Sequence, residues 1–196
     1  RAANRALLEQ ADYAAKAGLV AVIQGKSSEQ HRLAALWTLG SLRSTTTIGG
    51  KEVKNWPMLD AKLLDELAKN PSINLRSWVV LLSAGSKLIG AGRSELGSAQ
   101  PGLNGLAELA ADPSPEIRRS VALTLRSYAS QFLTTNNDPA AKPPISVNTQ
   151  RELAALIGAS ARAEDKTLPF LIWMALEPQL ASKPVYYLPW LSKLAP

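Results

Sequence analysis

Four short segments of the chain align without gaps, and their recurrence narrows the folds open to it. They are Ser28-Glu29-Gln30-His31-Arg32, Ser72-Ile73-Asn74-Leu75-Arg76, Ser114-Pro115-Glu116-Ile117-Arg118 and, more weakly, Asp165-Lys166-Thr167-Leu168-Pro169. Their starts lie 44, 42 and 51 residues apart. Each opens an apolar run of helical length: LAALWTLGSL, SWVVLLSAG, RSVALTLRSYA and FLIWMALEPQL. A period of this size marks stacked supersecondary units, each too small to cover its own apolar face.

Local chemistry sets where each run begins. Ser28, Ser72 and Ser114 are candidate N-caps, whose hydroxyls can accept from orphan backbone N–H groups. Asp165 takes that role in the fourth copy. Pro115 suits the first helical position, where no donor is needed. Pro71 and Pro113 end the helices before them. A second amphipathic run precedes each capped one. These runs are Asp12–Gln24, Met58–Lys69 with Leu59, Leu63, Leu64 and Leu67 on one face, Leu103–Ala111, and Asn148–Ala163 with Leu153, Leu156 and Ile157 together. The pattern predicts helical hairpins, an A helix followed by a B helix, over roughly 12–42, 58–84, 103–130 and 148–180. Residues 1–10 read as the tail of an earlier B helix, and 185–194 as a short helix that Pro189 kinks or splits. The connections Arg43–Pro57, Gly85–Gly102 and Gln131–Ser146 are dominated by turn and breaker residues and read as long loops along one edge, with Lys87–Gly90 open to extending the helix before them.

Composition removes several function classes. With no cysteine, this stretch holds no disulfide scaffold, cysteine nucleophile, thiolate metal site or covalent haem. A single histidine, His31, gives a multi-histidine metal site or a Ser-His pair no second member. Asp60, Asp65 and Glu66 fall on the polar face of one A helix, without the context of paired catalytic carboxylates. There is no phosphate-binding GxxxxGK[ST] loop. The longest apolar run, Leu168–Leu176, is half the roughly 18 residues that a bilayer span requires. The formal net charge is +6, from 22 Lys+Arg against 16 Asp+Glu. The basic residues are scattered, with only Arg118 and Arg119 adjacent, so nucleic acid ranks below protein as a partner. The chain opens at Arg1 with no signal peptide and reads as part of something longer.

The Asp112–Leu125 stretch, DPSPEIRRSVALTL, resembles the B helix of a HEAT repeat, with its Asp-Pro turn and favoured arginine. Three further phrases are RAANRALLEQ at the start, HRLAALWTLGSL at His31–Leu42 and LPFLIWMALEP at Leu168–Pro178. In this order they resemble the HEAT region of large membrane-bound dehydrogenases of planctomycetes and verrucomicrobia, which join a sugar-dehydrogenase-like β-propeller, a HEAT array and a c-type cytochrome domain. The resemblance implies lineage and neighbouring domains, with any redox chemistry lying outside these residues. It also implies periplasmic or cell-surface placement.

The expected fold is therefore all-α: a single HEAT-type α-solenoid over 1–196, a right-handed superhelix of about four hairpins with partial helices at both ends. The expected function is non-catalytic, with no cofactor or metal in this segment. It is a scaffold or spacer that holds a protein partner, or flanking domains of its own chain, at fixed geometry. Two alternatives are the HEAT segment of a cytochrome-linked sugar or alcohol dehydrogenase-like protein, and a HEAT-like nucleic-acid-binding module. The residues expected to touch a partner are Lys51, Lys54 and Trp56 in the first connection, and Tyr186, Tyr187 and Trp190 near the end. Arg32, Arg76 and Arg118 recur at one repeat position and read as a structural ladder to acidic or carbonyl groups of the adjoining repeat. Trp37, Trp78 and Trp173, inside B helices, read as core.

Overall fold

The computed structural model describes residues 13–42, 44–48, 51–55, 59, 61–90, 106–135, 147–161, 165–182 and 184–194. The helix expected over 1–10, Trp56, and residues 91–105 and 136–146 of the later connections and the helix start that follows lie outside the described residues. The chain divides into two compact units, Arg1–Pro101 and Gly102–Pro196, and each contains two of the expected hairpins.

In the first unit the helices are α1 (Tyr13–Gln24), α2 (Glu29–Ser41), α3 (Ala61–Ala68) and α4 (Ile73–Gly90). Helix α1 packs on α2, α3 on α4, and α2 on α4, so the two hairpins meet through their B helices. The core follows the helical period. Leu36 and Leu39 of α2, Leu63, Leu64 and Leu67 of α3, and Leu75 and Val79 of α4 are buried together with Ile23, Leu42 and Leu59. Each such side chain contributes roughly 1.5–3 kcal/mol when fully removed from water. Gly40 lets the B helices approach closely, because a Cβ there would stand 2.8 Å from Leu82 Cδ2.

The stretch read as the loop Arg43–Pro57 instead contains a β-ribbon. Strands β1 (Ser44–Ile48) and β2 (Lys51–Asn55) pair antiparallel, from Ser44 opposite Asn55 to Ile48 opposite Lys51. The physical reason lies in the sequence. Thr45, Thr46, Thr47 and Ile48 are β-branched, and a Gly-Gly dipeptide between two such runs is a sequence signal for a hairpin.

The second unit contains α5 (Leu106–Ala110), α6 (Pro115–Thr135), α7 (Val147–Ser160), α8 (Leu168–Ser182) and α9 (Pro184–Ser192). Here A packs on A (α5 with α7) and B on B (α6 with α8), while α9 lies against α8. Leu106, Leu109, Ile117, Val121, Leu125, Leu153, Leu156, Leu168 and Ile172 are buried. Helix α4 runs through to Gly90, the extension that the sequence reading left open, whereas α6 continues to Thr135, into the stretch read as a connection. Pro189 does not split α9, which is continuous across it. The carbonyl that Pro189 leaves without its helical donor belongs to Val185, which is 87% exposed and can bond water instead.

Candidate interaction surface

The A-to-B turns are built alike. Asn70 Oδ1 accepts from the Ser72 backbone N–H (3.0 Å), and Asp112 Oδ1 accepts from that of Ser114 (2.8 Å), each fold bracketing a proline. Asp165 Oδ1 accepts from Thr167 N–H at 3.0 Å and Leu168 N–H at 3.3 Å, capping α8. Ser28 accepts from His31 N–H at 3.4 Å, and Ser72 from Leu75 N–H at 3.2 Å. Ser28 Oγ also lies 3.0 Å from His31 Nδ1, so the single imidazole sits in a capping turn.

The arginine ladder closes these turns from inside its own hairpin. Arg76 Nη1 donates to Asn70 O (2.7 Å) and Pro71 O (3.2 Å). Arg118 Nη1 donates to Asp112 O (2.6 Å) and Pro113 O (2.9 Å). Arg32 Nε reaches back to Ile23 O at 2.7 Å, near the end of α1. The sequence reading named acidic or carbonyl groups of the adjoining repeat as partners, and these bonds run to carbonyls of the same hairpin. The acceptors lie five and six residues before Arg76 and Arg118, in the turn that follows the A helix, and nine before Arg32, in the last turn of α1.

Other residues bridge from one hairpin to the next. Glu29 Oε1 accepts from Ser72 Oγ (2.5 Å) and Asn74 Nδ2 (3.0 Å), and Gln24 Nε2 donates to Glu66 Oε2 at 2.7 Å. In the second unit Arg119 grips Asp165 with both arms of its guanidinium, Nε to Oδ2 at 3.0 Å and Nη2 to Oδ1 at 2.9 Å. The Arg119 bonds hold the Asp165 carboxyl below its usual range, and the same contact raises Arg119. Hydrogen bonds from Ser72, then Asn74, lower the Glu29 carboxyl. The Ser114 hydroxyl, donating to Glu116 Oε2 at 2.7 Å, lowers Glu116 in the same way.

The aromatic residues do not lie where the sequence reading put them. Trp37 is 42% exposed, Trp78 37% and Trp173 53%, so all three are surface residues and not core. Trp37 falls in the outward stripe Gln30, Ala34, Trp37, Ser41, one step off the buried Leu36 and Leu39. Trp37 and Trp78 meet edge to face, ring centroids 5.1 Å apart at 70°, joining the outer faces of α2 and α4. On α8, Phe170 and Trp173 are exposed one turn apart.

Of the expected contact residues, Lys51 and Lys54 are placed in β2. Trp56 and the Tyr186 side chain lie outside the described residues. Tyr187 is fully buried and stacks edge to face on the half-buried Trp190 at 6.3 Å. This corrects its reading as a contact residue: the apolar ring closes the α8–α9 junction. Among the described residues, no group of three or more His, Asp or Glu gathers as a metal-binding cluster. No helix there is long and apolar enough to cross a membrane. No protein-family model, no curated protein and no solved structure matches the chain.

Proposed function

We propose that this chain is a non-catalytic interaction and spacer scaffold. In this reading its four hairpins continue one another as a right-handed HEAT-type solenoid, holding a protein partner or flanking domains of a longer chain at the periplasmic or cell-surface side. The observation that carries the proposal is the Trp37–Trp78 pair on the outer faces of neighbouring B helices. Large aromatic rings are the side chains that contribute most when an interface dehydrates them. The bonds from hairpin to hairpin support the spacer role, since they fix the register of each stacked pair.

A photo-crosslinking amino acid at position 37 or 78 of the full-length natural protein tests the contact. The expected result is a crosslink to a second polypeptide or to a distant segment of the same chain, and none from a control at Lys62 on α3. Equal labelling at all three sites would remove the proposal. Small-angle scattering tests the shape. A radius of gyration clearly above about 16 Å, the value for a compact domain of this length, is expected of a solenoid. A value at that figure contradicts one.

A further inference from the structure

We propose that the Trp37–Trp78 pair is a polyproline-II site, which takes an uncharged, proline-rich segment of a partner protein. This rests on the scaffold reading above and adds the class of partner and the conformation in which it binds.

The two rings stand on neighbouring helices, α2 and α4, 42% and 37% exposed, with centroids 5.1 Å apart. Their planes are inclined at 70°, so they form two walls of a corner and not a flat platform. A polyproline-II helix turns once in three residues, which gives it a triangular cross-section. Neighbouring faces of such a prism meet at about 60°, close to the angle between the rings. A sugar ring stacks on one flat surface, which this pair does not offer. An α-helix, roughly 10 Å across with its side chains, is too blunt to enter the corner.

Hydrogen bonding points the same way. An indole has one donor and no acceptor. Among the described residues, neither the Trp37 nor the Trp78 Nε1–H donates to a polar atom of the chain. A ligand that covers both rings must therefore bring free acceptors beside an apolar surface. The carbonyls of a helix are bonded within it, and those of a sheet to the next strand. Polyproline-II backbone has no internal hydrogen bonds, so its carbonyls stay free. Proline adds an apolar ring and lacks the N–H that two indoles could not accept. Aromatic surfaces that bind such segments use this combination, and the stiff ligand loses little entropy.

Charge sets the remaining property. On the two helices that carry the rings, residues 33–42 and 77–83 include no ionisable side chain. The ionisable groups nearer the helix starts are engaged in the turns. Glu29 accepts from Ser72 and Asn74, Arg32 and Arg76 donate to backbone carbonyls, and His31 lies beside Ser28. These stretches select neither an acidic nor a basic ligand.

The test titrates the full 196-residue chain with capped decaproline and follows its five indole N–H resonances by NMR. Those of Trp37 and Trp78 are expected to move together and saturate, and that of Trp173, exposed on α8, to stay in place. Trp37→Ala and Trp78→Ala are each expected to weaken binding at least about tenfold with unchanged helical circular dichroism. Trp78→Phe keeps a ring and removes the donor, and is expected to weaken binding about threefold or more. Affinity is expected to be equal at low and at physiological salt. No movement of the two resonances, or equal movement with a glycine–serine peptide of the same length, overturns the proposal. So does a steep fall of affinity with salt. Tighter binding of cellohexaose, or of an uncharged apolar helical peptide, overturns it too, by making the occupant a glycan or a helix. A failed titration alongside positive crosslinks from positions 37 and 78 overturns this inference alone, whereas failure of both removes the scaffold reading as well.

Discussion

Arg118 is 8% exposed, and its Nη1 donates to two carbonyls of its own turn. Truncating a buried cation with two such bonds leaves its acceptors without a donor and opens a void. We expect Arg118→Ala to cost about 2–4 kcal/mol, read from urea denaturation. Arg118→Lys keeps the charge but not the planar fork, and falls between. Arg32, half-buried and bonded to one carbonyl, is expected to cost only about 1 kcal/mol when truncated. Asp165 makes a different prediction. Its folded carboxyl titrates below the ordinary 3.8 because Arg119 bonds the charged form. The stability it supplies is therefore whole above 3.8 and is lost as pH falls through the lower folded value. Asp165→Asn is expected to lower the urea midpoint at pH 7, with the difference from the parent vanishing at the acid end. A pH series of denaturation curves decides this.

Helices were legible where caps and periodicity agreed. Ser28, Ser72 and Asp165 each announced a B helix, and the leucines of α3 announced the face it buries. Three features stayed hidden for identifiable reasons. Gly49-Gly50 reads as a breaker within Arg43–Pro57, although a Gly-Gly pair flanked by Thr47, Ile48, Lys51 and Val53 is equally a hairpin signal. The end of α6 carries no cap signal, so its last turn reads as loop, whereas Lys87–Gly90 at the end of α4 reads as open to either. The tryptophans read as core because they sit inside B helices, whereas the helical period places Trp37 one step from Leu36 and Trp78 one step from Val79. Bulk pulls such residues inside only where the stripe faces the core. Helix α9 offers a further check. Pro189 leaves the Val185 carbonyl to water, so Pro189→Ala restores a helical bond at an exposed site. We expect slower amide exchange across 184–192, by a margin worth about 1 kcal/mol or more.

The division into two units has its own signature. Leu36 and Leu125 are both fully buried, one in each unit. Truncating either to alanine is expected to cost about 2–5 kcal/mol. Native-state hydrogen exchange should show Leu36→Ala loosening residues 13–90 and Leu125→Ala loosening 106–182, each leaving the other set little changed. Exchange that rises everywhere in both variants would mean that the two units open as one. The bonds that join successive hairpins have a mechanical consequence. Gln24–Glu66, Glu29–Ser72, Glu29–Asn74 and Arg119–Asp165 all gather at the A-to-B end of the helices. Each stacked pair is thus stitched like a book along its spine. Pulling the hairpins of a pair apart at this edge loads short polar bonds in tension, so the spine is a place where each pair resists opening.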